Sequence, residues 1–313
     1  MPVALCALSH SPLMGKIDPA PETGRAVDEA LDNARTFVAD FDPELVLAFA
    51  PDHYNGFLHE LMPPFCVGTA AESIGDYGLP AGSLPVDTAT ARALTQRVLD
   101  AGVDIACSAH MRVDHGLIQP LLLLFGALDA MPVLPVFINC VAEPLGPATR
   151  SLALGRAIGA ALDDRRILLL ASGGLSHDPP VPRLADAPPD VAERITIRRP
   201  VSPGQRHARE ARTVAAARAF AAGDTTYQDL NPLWDNDFLD ACANGALDGF
   251  AAHPVSWFTE QAGHSAHEVR TWLAAYAALA ACGPYEVTQR FYRPIREWFA
   301  GYAVTTARNG DPR

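Results

Sequence analysis

Four histidines stand just beyond apolar stretches in the first 177 residues of the chain: His10 in CALSHSPL, His53 in LAFAPDHYNG, His115 in RVDHGLIQP and His177 in ASGGLSHDPP. Neutral imidazole is the commonest protein ligand for a transition metal, and it is also suited to moving protons near neutral pH. A single histidine in a polar loop is an ordinary hydrogen-bonding residue. Four delivered at strand ends suggest one site built from several loops, either a metal site, an acid–base site or both. His115 lies in the turn Asp114-His115-Gly116, ahead of an apolar run; a helix N-terminus there disfavours imidazolium and suits a general base. His177 follows Gly173-Gly174, whose missing side chains let a ligand or a second backbone approach closely. Asp52, beside His53, is placed to orient an imidazole as an acceptor.

A metal site needs a further ligand, and the segment GHSAHEVRTW offers His264, His267 and Glu268 at the opening of a helix. Glutamate in a first helical turn also has an ordinary role as partner of the helix dipole. Two histidines and one carboxylate, with coordination positions left open, make the pattern of non-haem Fe(II) oxygenases. Other chemistries lack their motifs. Neither G-x-G-x-x-G nor a G-x-x-x-x-G-K-[ST] phosphate loop is present, and without a G-x-S-x-G elbow Ser176 beside His177 is no hydrolase triad.

These residues need a scaffold that brings loops together. Apolar runs at Val3–Leu8, Leu45–Ala50 and Ile167–Ala171 read as buried strands, with further strands at 103–108 and 133–139. Helical spacing of Ala26, Leu31, Ala34, Val38 and Phe41 predicts a helix over Pro21–Phe41. Others are expected over 87–101, from His115, and over 148–162, 207–222, 235–244 and 266–281. The tract from Pro51 to Pro85 reads as irregular. Such alternation predicts a layered α/β sheet with helices on both faces, and its ligand crevice lies beyond the strands' carboxyl ends. The stretch Asp178–Gln205 contains seven prolines and little apolar periodicity, so residues 178–206 are either a solvated excursion or a lid over the site. The tail after Ala300 ends in polar residues and is expected to fray.

The 313 residues, 49% of them hydrophobic, suffice for a sizeable core. A net charge of −12 argues against nucleic acid or an anionic membrane as partner. Six scattered cysteines without a C-x-x-C pair suit a reducing cytoplasm, and no signal peptide is expected. Asp129, Pro132 and Pro135 interrupt the run Leu121–Phe137, so no membrane span is expected.

Eight ordered blocks carry a more specific likeness: CALSHSPL, FAPDHYNGF with MPPFC, VDHG, LPVFIN, SGGLSHDPPVP, NPLWDNDF, HEVRTW and YRPIREW. Together they resemble the class III extradiol catechol dioxygenases over almost the whole chain. The resemblance implies one αβα domain over residues 1–313 with a mixed sheet and its active site at the strand ends. It implies Fe(II) on His10, His53 and Glu268, with His115 and His177 as the acid–base pair. The base role is assigned to His115 and the acid role to His177, although the two could be exchanged. A catechol with a short anionic side chain and O2 would be the reactants, in a homo-oligomer without an organic cofactor. The anionic side chain calls for a local arginine in so acidic a chain, and Arg112, Arg183, Arg199 and Arg293 are equal candidates. Two rivals are a Zn(II) hydrolase using the same histidines and a non-catalytic binding protein on the same fold. The retained ligand set counts against the second.

Overall fold

The computed structural model describes residues 2–310. Its strands are β1 (Val3–Leu8), β2 (Leu45–Ala50), β3 (Phe65–Gly68), β4 (Ala71–Ile74), β5 (Ala81–Ser83), β6 (Ala106–Ser108), β7 (Met111–Val113), β8 (Val133–Ile138), β9 (Ile167–Ser172), β10 (Tyr285–Ile295) and β11 (Ala300–Asn309). Its helices are α1 (Pro21–Phe41), α2 (Thr88–Asp100), α3 (His115–Phe125), α4 (Thr149–Ala161), α5 (Pro189–Thr196), α6 (Pro203–Ala221), α7 (Pro232–Ala243), α8 (Leu247–Ala251), α9 (Val255–Ala262) and α10 (Val269–Ala281).

Strands β1, β2, β8 and β9 are buried along their full length. A strand covered on both faces needs a continuous apolar run rather than an alternating one, which these hexapeptides supply. They form the parallel centre of an eight-stranded sheet ordered β10-β11-β1-β9-β2-β8-β3-β6. Strand β11 runs antiparallel to β1 and β10, and β3 antiparallel to β8, so the sheet is mixed. A small second sheet has the order β5-β4-β7. The pleat sends Leu5, Leu47 and Leu169 into one apolar layer, packed on α2, α4 and α10. It sends Cys6, Ala48 and Leu168 into the other, packed on α1 and α3. Helices therefore cover both faces, as the alternation predicts.

Three expectations are corrected. The polar end at 311–313 lies outside the described residues, but from Ala300 to Asn309 the tail is strand rather than frayed: β11 lies beside β1, with Val304 fully buried. Its polar residues mislead because their hydroxyls are paired inside, Thr305 with Tyr276 at 2.8 Å and Thr306 with Thr288 at 2.8 Å. The tract Pro51–Pro85 is not wholly irregular, since it holds β3, β4 and β5. The Pro-rich stretch contains α5, and α6 begins at Pro203, where Ser202 and Gln205 form a reciprocal cap.

Candidate active site

His10 follows the end of β1, His53 the end of β2 and His177 the end of β9. Because β1, β9 and β2 are neighbours in the sheet, their three loops emerge side by side. His115 is the first residue of α3, and Glu268 ends the short 3-10 turn His264–Glu268 that leads into α10. All five side chains converge. Glu268 Oε2 lies 3.7 Å from His10 Nε2, and its Oε1 lies 3.1 Å from His53 Nε2 and 3.5 Å from His177 Nε2. The His53 and His115 rings stack at 4.4 Å. Ligand atoms of His10, His53 and His115 lie within 4.8 Å of one another.

The hydrogen bonds behind the rings assign the tautomers. The Ser172 hydroxyl donates to Gly116 O, so it accepts from His10 Nδ1 at 2.9 Å. His53 Nδ1 donates to Asp114 Oδ2 at 3.1 Å, His115 Nδ1 to Asp76 Oδ2 at 2.6 Å and His177 Nδ1 to Leu175 O at 2.8 Å. Each ring is thus tethered at Nδ1 and turns Nε2 toward one shared space. A neutral His53 would point its lone pair at a carboxylate oxygen 3.1 Å away. That contact repels unless a proton or a cation lies between. Apart from the Gly174 N–H at 2.7 Å, the charged partners of the buried Glu268 are histidines, among the described residues. Imidazole nitrogens gathered around a carboxylate without lysine or arginine fit a divalent cation.

The electrostatics lean the same way. Burial drives the His10 imidazole down to about 3. Burial also works against charge on His53, yet Asp114 and Glu268 raise it well above its ordinary value. His177 is raised against burial, chiefly by Glu268. Glu268 itself is held well below the usual carboxylate range despite burial, by His10 and His177. The carboxylates of Asp114 and Glu268 thus draw positive charge toward His53 and His177, while burial disfavours it on His10.

Asp52 does not orient an imidazole. Its carboxylate instead accepts the backbone N–H groups of Asn55, Gly56 and Phe57 at 3.0, 2.7 and 3.0 Å, which closes the loop after His53. Burial and the neighbouring Asp114 push its carboxyl up to about 7. Asp114 takes the orienting role while also capping α3 through the Gly116 N–H at 2.9 Å. His264 pairs with Asp178 and His267 with Thr259, so Glu268 alone of that segment reaches the centre. The glycine pair fits the expectation of close approach. A Cβ on Gly173 would meet Glu268 Cβ at 2.8 Å, and one on Gly174 would meet the His177 ring at 2.8 Å. Asp235 braces this loop by accepting from the Ser176 N–H, the Ser176 hydroxyl and the Tyr292 hydroxyl, each at 2.7 Å. The supporting residues Asp76, Asp114, Ser172 and Asp235 carried no assigned role in the sequence reading; each acts across a long chain separation that spacing does not reveal.

The centre opens into a cavity of about 460 Å³, within the range of small-molecule sites. The four arginines expected to hold an anionic side chain do not line it. Arg112 turns to Glu72, which it shares with His110, Arg183 turns to Asp186 and Arg199 to Glu193. Arg293 lies over Phe291 on the edge strand β10. Arg194, Arg209 and Arg212 line the cavity instead.

A mixed αβα sheet with a histidine–carboxylate centre at its strand ends, opening into an organic-sized cavity, defines a metal-centre type of small-molecule enzyme. The chain belongs to the family described as the catalytic LigB subunit of aromatic ring-opening dioxygenase, which matches residues 4–302. It is a ring-opening dioxygenase of the extradiol class. Over 309 residues it is 57% identical to a 2,3-dihydroxyphenylpropionate/2,3-dihydroxicinnamic acid 1,2-dioxygenase of Rhodococcus sp, covering 98% of each chain. It is 54% identical over 309 residues to the enzyme of that name from Rhodococcus jostii (strain RHA1), again covering 98% of each. The one from Mycolicibacterium paratuberculosis (strain ATCC BAA-968 / K-10) is 52% identical over 310 residues, 98% of this chain and 99% of that one. No helix among the described residues is long and apolar enough to cross a membrane.

Proposed function

We propose that this dioxygenase opens 2,3-dihydroxyphenylpropionate, a 3-substituted catechol, beside its hydroxyls. The product is a ring-opened 2-hydroxy-6-oxo-dienedioate that carries both atoms of O2. The observation that carries the reading is the convergence of tethered Nε2 atoms on the buried Glu268 carboxylate at the floor of the cavity. His10, His53 and Glu268 would hold Fe(II). When bound, the iron supplies Lewis acidity toward the catechol oxygens and the one-electron chemistry that O2 requires.

The protein's own part is proton management and enclosure. His115, with Nδ1 tied to Asp76, presents Nε2 as the base that takes a catechol hydroxyl proton. His177, with Nδ1 tied to Leu175 O, delivers a proton from Nε2 later in the reaction. Residues 178–206 would serve as a lid, because Pro179–Pro182 and Val191 of that stretch line the cavity. Six free cysteines suit a reducing cytoplasm, and the family resemblance favours a homo-oligomer, which light scattering would count.

The decisive test is oxygen uptake after anaerobic Fe(II) loading, with a panel of 3-substituted catechols. One O2 consumed per ring opened, dependent on iron, is the expected result. Hydrolytic turnover with Zn(II) and no oxygen uptake would overturn it. Lower hydrogen exchange across 178–206 on substrate binding tests the lid, and unchanged exchange removes it.

A further inference from the structure

Three guanidinium groups on the cavity lining have no part in the ring chemistry. Arg194 stands on α5, and Arg209 and Arg212 stand on α6. With Thr213 and Ala216 the α6 residues fall at i, i+3, i+4 and i+7, one helix face turned to the cavity. No ion pair neutralises any of the three among the described residues. Of the acids close to them in sequence, Glu193 pairs with Arg199 and Glu210 accepts the Tyr77 N–H at 2.8 Å, while Asp190, one turn before Arg194 on α5, lends it some opposing charge without forming an ion pair among the described residues. Partial burial, together with Arg209 and Arg212, holds the Arg194 guanidinium below its usual range. In a chain of net charge −12, leaving three cations clustered and unpaired on a cavity wall is unfavourable unless an anion joins them.

We propose that Arg194, Arg209 and Arg212 form the subsite for the carboxylate of the substrate's side chain and set the preference for anionic over neutral 3-alkylcatechols. The inference rests on the catechol reading above. Arg209 also ties this subsite to the centre: it donates to Asn55 Oδ1 at 2.9 Å, and Asn55 Nδ2 donates to Asp114 Oδ2 at 2.8 Å. Asp114 in turn holds His53 Nδ1. The carboxylate end and the ring end of the substrate are thus gripped by parts of one hydrogen-bonded chain. The same three arginines border a second cavity that includes Arg198 and Arg206, where arginines outnumber the two acids Asp190 and Glu193 and the net field draws anions inward.

The test uses Arg194→Gln and Arg212→Gln, which leave the Arg209–Asn55 hydrogen bond in place, and the double variant. Kinetics are compared for 2,3-dihydroxyphenylpropionate and for 3-propylcatechol, which is of similar length but uncharged. Each single variant should lower kcat/KM for the anionic catechol roughly tenfold, mostly through KM, and the double variant should lower it further. 3-Propylcatechol should change by less than about twofold, which also reports intact folding. Equal losses on both substrates, or no loss on either, would overturn the subsite. Calorimetry with 3-phenylpropionate, which has the carboxylate but no hydroxyls, separates this proposal from the one beneath it. If the wild-type enzyme opens neither catechol yet binds 3-phenylpropionate through these arginines, the catechol reading fails and the anion subsite stands. If it opens both catechols alike and the variants bind 3-phenylpropionate normally, the subsite fails and ring opening stands.

Discussion

Glu268 is 1% exposed and faces imidazole edges and one backbone amide. A carboxylate so buried is tolerated only beside compensating positive charge. Glu268→Gln should therefore abolish Fe(II) binding, and its melting temperature should no longer respond to the metal. In the wild type, saturating iron should add a few kcal/mol, or several degrees in Tm. His53→Ala should lose iron likewise, by metal analysis after gel filtration; iron retained by either variant would sink the ligand assignment. His115→Ala and His177→Ala should keep near-normal iron while turnover falls by about two to four orders of magnitude. Asp76→Asn should behave as a weaker His115 lesion, lowering turnover roughly ten- to a hundredfold with iron content unchanged, because it releases the ring rather than removing it. The four histidines were legible as a set because they recur at the ends of elements, whereas Glu268 was one of three candidates in its segment and was singled out only by the family resemblance. The histidines' tethers were not legible. Asp76 lies 39 residues from His115, Asp114 lies 61 from His53 and Ser172 lies 162 from His10, and no local pattern encodes such distances. Asp52 shows the converse hazard, since the nearest acid in sequence serves the backbone of its own loop.

Helix α10 begins where Glu268 ends, so the carboxylate's position depends on how closely α10 packs on α4. That approach needs glycine. A Cβ on Gly155 would sit 2.1 Å from Ala274 O, and one on Gly159 2.3 Å from Ala278 O. Gly155→Ala and Gly159→Ala should each force the helices apart, lowering stability by about 1–3 kcal/mol by denaturant titration and weakening iron affinity. Wild-type values for both would show that the helices slide freely. Elements with a strong internal period were readable: β1 and β2 from unbroken apolar hexapeptides, α1 from its helical spacing. Strands β3, β4 and β5 were not, because each has only three or four residues set among prolines and glycines. Strand β11 was missed for a different reason. Its small and hydroxylated residues carry little apolar signal, and their burial is decided by partners elsewhere in the sheet.

At the scale of the whole molecule, β11 occupies an interior position between β1 and β10, so the chain's late residues complete its core. Val304→Asp would place an unpaired charge at a fully buried position and should leave the protein insoluble; a soluble, iron-binding variant would contradict this topology. The order of synthesis adds a further consequence. Strand β1 leaves the ribosome well ahead of its β11 neighbour, which follows only after a wait of roughly 15–60 s at ordinary elongation rates. During that interval one edge of VALCAL stays unpaired, an aggregation hazard that a chaperone or rapid burial must cover. Stalled nascent chains ending before Ala300 should accordingly stay protease-sensitive around β1. The loop carrying His10 waits as well, because Ser9 N–H donates to Ala303 O at 2.9 Å and the Ser11 hydroxyl to Trp298 O at 3.0 Å. His10 is thus the first of the site's residues to be made and the last to be fixed in place.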